Sequence, residues 1–195
     1  MGQTGGRQVC VAHRSCGGVQ ARGFTLIELM IAIAVAAVLL TVAIPSFKHI
    51  TMANQLNTTA NSIVNALNAA RMEALNRNRE TRFCSNNQAK NGNDALGKAC
   101  AAQPAAVYVQ VPDADALEVR AQILLQDERL QLSGDITPLR FDTRGLAYGL
   151  GANASPYNGV VAKICSSASD SGNRRIISMT TGSSIKVETK DGACK

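Results

Sequence analysis

The sequence predicts an α+β protein in which one long N-terminal helix packs against an antiparallel β-sheet head. A helical pattern, first apolar and then amphipathic, runs from about residue 24 to about residue 79. From residue 81 onward, short segments of β character alternate with clusters of Gly, Asn, Ser and Asp, which favour turns. Because these strands do not alternate with helices, an antiparallel sheet is favoured over a parallel one.

The first part of the helix, residues 24–47, is apolar enough to cross a membrane. From Leu29 to Ile44 every residue is apolar except Thr41, and from Phe24 through Ile44 the only formal charge is Glu28. A helix over the 21 residues from Phe24 to Ile44 measures about 32 Å at ~1.5 Å per residue, close to the thickness of a bilayer core. A cleaved secretory signal is the alternative, but its apolar region is shorter and a small-residue cleavage site follows it. Here the helical pattern continues, so we expect a transmembrane segment.

The second part of the helix, residues 48–80, is amphipathic. Apolar residues recur at steps of three and four and predict a buried stripe. The stripe consists of Ala53, Leu56, Ala60, Ile63, Leu67, Ala70 and Ala74. Near the end of this part lie four arginines, Arg71, Arg77, Arg79 and Arg82, which are expected to form a solvated face; contact with an acidic partner is the alternative.

The head, residues 81–195, is predicted to be rich in short strands. The segments with β character are Val107–Val111, Leu130–Leu132, Leu139–Phe141, Val160–Cys165, Ile176–Met179 and Ile185–Glu188. Residues Gln122–Arg129 are expected to form a short helix between two of these strands.

Residue types that carry catalysis are scarce, which argues against an enzyme. The two histidines, His13 and His49, both lie outside the C-terminal two thirds of the chain. This excludes a Ser-His-Asp triad, a Cys-His pair or a histidine-rich metal site within the head. The G-x-G at residues 149–151 is interpreted as a loop, because Pro156 and Gly159 follow where a helix should run. We therefore expect no enzymatic activity, no cofactor and no metal.

The residues before the apolar stretch carry a resemblance to a known family. Type IV pilins and type II secretion pseudopilins have a class III signal that closely resembles residues 22–28 (RGFTLIE), followed by the apolar stretch and Pro45. The resemblance implies that residues 1–23 are a leader peptide. It further implies that a prepilin peptidase cleaves between Gly23 and Phe24 and that Phe24 becomes an N-methylated first residue.

The same resemblance implies roles in assembly for Glu28 and Pro45. A carboxylate in an apolar helix is costly in lipid, and cleavage creates an amine at Phe24 with which Glu28 of a neighbouring subunit can pair. Pro45 removes a backbone hydrogen bond and can loosen the helix as the subunit leaves the bilayer. The alternatives are that Glu28 stays hydrated among lipid headgroups and that Pro45 only kinks the helix at the membrane edge.

A weaker resemblance covers roughly Leu130 to Glu188. Residues 141–145 (FDTRG) and 174–178 (RRIIS) look like those of GspH/FimT-type minor pilins and pseudopilins. Gly145 is expected to supply a turn with positive φ, and Asp142 to close this turn by accepting a hydrogen bond from a backbone amide.

Without the leader, four cysteines remain, all after the membrane helix. Four cysteines allow three connectivities. We favour Cys84–Cys100 and Cys165–Cys194, because each pair brackets a turn-rich stretch. The second pair would close a C-terminal loop of the kind that type IV pilins have. A site with four thiolates around a metal is the competing interpretation, but a C-x-x-C spacing is absent. Disulfides would place the head in an oxidising compartment.

Three functions are compatible with these features. The leading one is a minor pilin, a structural subunit that primes or caps assembly of a type IV pilus. The second is the H-type pseudopilin of a type II secretion system. In both cases the partners are other minor and major pilins or pseudopilins and the prepilin peptidase. The protein would sit in the bacterial inner membrane as a single-pass protein with its head in the periplasm, and then in the filament.

The third function is DNA binding for uptake, which some FimT-like minor pilins perform. The chain has a formal charge of +6, and Arg174, Arg175 and Lys186 are the candidate phosphate contacts. However, the glycine-arginine-x-arginine pattern of the DNA-binding members reads Gly-Ser-Ser-Ile at residues 182–185, so both arginines are absent. DNA is therefore not a favoured partner.

Overall fold

The computed structural model describes residues 23–194 except residues 102, 113, 124, 126–127, 152–154 and 169–170, and the backbone alone at residues 42 and 45. The expected leader therefore lies outside the described residues, apart from Gly23. The chain divides into two compact units between Ala43 and Ile44. Its helices are α1 (Leu26–Arg77), a short 3-10 helix (Gln88–Lys90) and α2 (Ala95–Cys100). Its strands are β1 (Thr81–Phe83), β2 (Val107–Val109), β3 (Leu117–Arg120), β4 (Leu130–Leu132), β5 (Leu139–Phe141), β6 (Ala147–Gly149), β7 (Gly159–Ser166), β8 (Arg174–Met179) and β9 (Ile185–Lys190).

Helix α1 confirms the long helix that the sequence predicts, and its C-terminal end has a defined cause. Asn78 adopts a left-handed conformation with φ +52°, which asparagine tolerates better than most residues. The N–H of Arg79 then donates to the carbonyl of Ala74 at 3.2 Å. This six-to-one hydrogen bond is the Schellman pattern, which satisfies a carbonyl that the helix leaves unpaired. The chain leaves α1 in a new direction and enters β1 within three residues.

The described strands form two antiparallel sheets, which confirms the predicted antiparallel class. The five-stranded sheet has the order β3-β2-β1-β5-β6, and the four-stranded sheet has the order β4-β7-β8-β9. The predicted segments correspond to β2, β4, β5, β7, β8 and β9. Strands β1, β3 and β6, each of three or four residues, were not predicted.

The hydrophobic core of the second unit lies between the sheets and the second part of α1. One cluster joins the helix stripe to inward-facing side chains of both sheets, among them Phe83, Phe141, Ile164 and Ile177. The predicted stripe is confirmed, except that Ala53 is half-buried while Met52 and Ala66 are fully buried. Small residues on the helix allow the strands to approach it closely.

The connection between β1 and β2 forms a second, smaller core. Asp94 caps α2 by accepting a hydrogen bond from Gly97 N–H at 2.8 Å, a typical N-cap contact. Leu96 and Cys100 of α2 pack with Cys84 and Tyr108. The β1–β2 connection, which contains α2, covers the face of the five-stranded sheet that carries Tyr108.

The helix predicted over Gln122–Arg129 is wrong for the residues that the structure describes. Residues 122, 123 and 125 have no helical assignment, and residues 128–129 form a turn. The N–H of Ile123 donates to the carbonyl of Pro104 at 2.8 Å, and its side chain packs against the main core. The composition of this segment is compatible with a helix, but the tertiary hydrogen bond to Pro104 outweighs that local preference.

Candidate functional site

The expected cleavage position lies just before the first turn of α1. Gly23, Phe24 and Thr25 are outside the helix, and Phe24 is 83% exposed. Thr25 caps the helix, because its Oγ1 accepts a hydrogen bond from Glu28 N–H at 3.3 Å and its carbonyl accepts one from Leu29 N–H at 3.1 Å. A side chain at residue 23 would meet no atom within 4 Å. The described residues therefore leave room for a side chain at position 23.

Glu28 lies in the first turn of α1, where the helix dipole stabilises a negative charge. An 18-residue window of this helix is long and apolar enough to cross a membrane, and none of that window is buried in the structure. Thr41, the polar residue of the apolar stretch, donates its hydroxyl to the carbonyl of Val38 at 2.6 Å. The hydroxyl group of Thr41 thus has a hydrogen-bond partner within the helix itself. The carboxylate of Glu28 is left as the chemically distinctive group of this segment.

Pro45 lies within α1, whose assignment is continuous from Leu26 to Arg77. The structure describes only the backbone of Pro45. Its role in loosening the helix stays a prediction.

The structure joins the four head cysteines in two pairs. Cys84 is bonded to Cys100 across 16 residues, and Cys165 to Cys194 across 29 residues. The first bond ties α2 to the residue that follows β1. The second ties the C-terminal segment to β7. The same segment is also held by a hydrogen bond from Gly192 N–H to Oδ1 of Asn173, the residue before β8, at 3.1 Å. Both stabilise the head by restricting the unfolded chain.

The turn at residues 141–145 has the geometry predicted for it. Asp142 Oδ1 accepts hydrogen bonds from the N–H groups of Arg144 at 3.0 Å and Leu146 at 2.9 Å. Gly145 has φ +75°, and a Cβ there would lie 3.2 Å from side-chain atoms of Arg71 and Leu75. Glycine is therefore needed both for the backbone conformation and for the close approach to α1.

The three candidate DNA contacts are not brought together. Lys186 is paired across the sheet with Ser178, four residues from Arg174 and so about 13 Å away along the strand. Arg174 donates to the carbonyl of Ala193. Lys186 pairs with Glu188 at 2.8 Å, and this hydrogen bond raises the pKa of the lysine.

Arg175 serves a structural contact. Its side chain is 6% exposed and donates from Nε to Oδ1 of Asn57 on α1 at 2.8 Å. Burial lowers the pKa of its guanidinium. A side chain buried in this way links the four-stranded sheet to the helix and is not available to a phosphate backbone.

Sequence reasoning missed two polar residues that connect the elements of the head. Arg82 was expected on a solvated face, and this is wrong: it is 2% exposed and lies in β1, where it donates to the carbonyl of Asn91 at 2.7 Å. Ser183 joins three elements, because its Oγ accepts from Ala147 N–H at 2.9 Å and its carbonyl accepts from Arg71 at 3.4 Å. No sequence pattern marks Ser183.

Comparison with known proteins adds three findings. The family model described as type II transport protein GspH matches residues 59–182, and the model of the prokaryotic N-terminal methylation motif matches residues 20–44. No curated protein matches the chain. Among solved structures, the crystal structure of the type IV minor pilin FimU of Pseudomonas aeruginosa (strain PAO1) is similar, with a TM-score of 0.44 and 15% sequence identity over 72% of this chain and 95% of that chain.

Proposed function

Because the chain belongs to the type II transport protein GspH family, whose members are minor pilins and pseudopilins, we propose that it is a minor pilin that primes or caps assembly of a type IV pilus. The observation that carries the proposal is the apolar first part of α1, which is unburied and lies within the match to the methylation motif at residues 20–44. A surface of this kind requires lipid before assembly and other apolar helices after it.

The proposal includes processing of the N-terminus. A prepilin peptidase removes residues 1–23 by cleaving between Gly23 and Phe24, and Phe24 is then N-methylated. The non-helical backbone of residues 23–25 supports this, because a peptidase must reach the bond outside a hydrogen-bonded helix.

We further propose that a charge pair between neighbouring subunits drives assembly. The new amine of Phe24 in one subunit pairs with the carboxylate of Glu28 in its neighbour. The apolar surroundings strengthen this pair and make an unpaired Glu28 costly. Pairing of this kind sets the register of neighbouring helices, and Pro45 lets the helix adjust as the subunit leaves the membrane.

The protein would be held in the bacterial inner membrane by residues 24–47, with residues 48–195 in the periplasm. The two disulfides of the head support the periplasmic side, because such bonds persist in oxidising compartments. Its partners would be other minor and major pilins and the prepilin peptidase.

A second candidate is the H-type pseudopilin of a type II secretion system. The description of the matching family model, type II transport protein GspH, favours it. Both candidates use the same anchor, the same processing and the same type of head, so they differ in the filament that the subunit enters.

A clean deletion with a complemented control separates the two candidates. Sheared surface pili and secreted hydrolase activity are scored side by side. Loss of pili with intact secretion is the expected result. Loss of secretion with intact pili would replace the minor pilin by the pseudopilin, and a strain with both functions unchanged would contradict both.

A further inference from the structure

A cleft of about 390 Å³ lies on the head beside β1 and β5. Four charged residues line it, Glu80, Arg82, Asp94 and Arg140, together with Gly92, Asn93, Leu150 and Gly151. In β1, Thr81 bonds to α1 through the carbonyl of Ala70 and Phe83 lies in the main core. Because side chains alternate along a strand, Arg82 faces the opposite side of the sheet, where the cleft opens.

Two like charges face each other in this cleft. Arg82 and Arg140 are direct partners in the β1–β5 register, an arrangement that destabilises a sheet unless anions compensate it. Glu80 lies between them, with one oxygen 3.5 Å from Arg82 and the other 3.5 Å from Arg140. These distances exceed the roughly 2.8 Å of a good charge-assisted hydrogen bond. By contrast, Asp94 binds Arg82 closely, at 2.6 Å.

The guanidinium groups have donor capacity beyond these contacts. Arg82 is 2% exposed, and its Nε is buried without a hydrogen-bond partner among the described residues. A buried donor of this kind calls for a ligand or another explanation. Arg140 lies over the ring of Tyr148, 5.1 Å from the centroid, which fixes its plane. Gly92 lies directly beside Arg82, since a Cβ there would lie 3.5 Å from Nη1.

We propose that this cleft binds a carboxylate group, which takes the bridging position between Arg82 and Arg140 that Glu80 holds loosely. The planar guanidinium forks can bind a carboxylate with two hydrogen bonds. Two arginines and two acidic side chains leave the cleft without net charge, so a ligand must displace Glu80 rather than add to it. A dianion such as phosphate is disfavoured by the negative charge of Asp94, which stays in place beside Arg82. The proposal does not depend on the function proposed above.

The test measures the Nε–H resonances of ¹⁵N-arginine-labelled full-length protein in detergent micelles. Sodium acetate is titrated against sodium chloride at equal ionic strength. We expect saturable shifts of the Arg82 and Arg140 signals with acetate and none with chloride or inorganic phosphate.

Variants make the test specific. Glu80→Gln removes the competing carboxylate and should strengthen acetate binding about fivefold, whereas Arg140→Gln should abolish it. Matched controls are Glu73→Gln and Arg79→Gln, a carboxylate and an arginine that do not line the cleft, and both should bind acetate as the wild type does. Unchanged acetate binding in Glu80→Gln and Arg140→Gln, or no saturable shift in any variant, would overturn the proposal.

The carboxylate can come from a small free acid or from an acidic side chain of a protein. A blocked tetrapeptide with one glutamate is compared with acetate at equal carboxylate concentration. Tighter binding of the peptide identifies a protein side chain as the source, and equal binding identifies a small acid. A peptide with glutamine in place of glutamate should not bind, and binding by that peptide would contradict a carboxylate site.

Discussion

The two parts of α1 share one secondary structure but bury their side chains in opposite ways. In residues 26–43 the large apolar side chains are exposed, with Leu39 at 65%. In residues 44–77 the apolar stripe is buried, and Leu67 is 0% exposed. The second part has one apolar face, which the head covers. The first part is apolar on all sides, so one packed face would not suffice and a surrounding apolar medium is required.

The acidic residues of the two parts differ in the same way. Glu73 pairs with Arg77 one turn later on the surface of α1. Within residues 23–43, the structure shows no ion pair of Glu28. The second part thus contains its own charge partner for Glu73, whereas the proposed partner of Glu28 is the amine of a neighbouring subunit.

The largest expected effect follows from this difference. Glu28→Ala should be processed normally but should be absent from sheared filaments, because the amine of the neighbouring subunit loses its partner. Glu73→Ala is the matched control and should enter filaments at the wild-type level, since an exposed helix pair contributes only about 0.3–0.5 kcal/mol. Immunoblots of sheared and membrane fractions measure both. Normal incorporation of Glu28→Ala would contradict the pairing.

Truncation of leucines compares the packing of the two parts. Leu67→Ala should lower the free energy of unfolding of the head by about 3–5 kcal/mol, because it removes contacts and leaves a cavity. Leu39→Ala should leave that free energy unchanged. Urea denaturation of the full chain in detergent, followed by circular dichroism of the β-rich head, measures the difference. Equal destabilisation by the two variants would show that the first part is also packed within the monomer.

The two disulfides of the described residues both lie after α1, in the same unit as its buried second part. Cys84→Ser combined with Cys100→Ser should cost about 3 kcal/mol by the chain-entropy model for a loop of this length. The stability of the head should fall while insertion into the membrane remains. Midpoints of urea denaturation and carbonate extraction of membranes measure the two properties. An unchanged midpoint would mean that this bond does not stabilise the folded head.

The smallest expected effect is a pH dependence confined to the head. Burial works against ionisation of Asp142, but hydrogen bonds from Leu146 N–H and from Arg144 outweigh it and lower the pKa of its carboxyl. The resulting stability is present above the unfolded pKa of about 4 and is lost as the pH falls through the folded value. Asp142→Asn should therefore reduce the loss of stability between about pH 6 and about pH 3. Urea midpoints across this range test it, and an identical pH dependence in the variant would refute the assignment.

Local patterns allowed part of this fold to be predicted. The span of α1 follows from its periodicity, and β4 and β5 were predicted with the bounds that the structure has. The turn at Asp142 and Gly145 was also predictable, because its hydrogen bonds join residues close in sequence. The cysteine pairs of the structure are those that were favoured because each brackets a turn-rich stretch.

Long-range contacts account for what the sequence did not reveal. Arg82 is buried because Asn91 and Asp94 are folded over it by the loop between Cys84 and Cys100. Arg175 is buried because it reaches Asn57, 118 residues away. Neither contact leaves a periodic pattern, and both residues were therefore interpreted as surface cations. The division of the strands into two sheets depends on contacts of the same kind.

The most direct test of the account is the N-terminus of the mature protein recovered from its native cells. Mass spectrometry of the N-terminal peptide from the membrane and sheared-filament fractions should show a chain that begins at Phe24 with a methylated amine. Such a chain would retain the apolar part of α1, as a membrane-anchored filament subunit requires. A mature chain that begins after Ile44, or one that still begins at Met1 in filaments, would contradict the account.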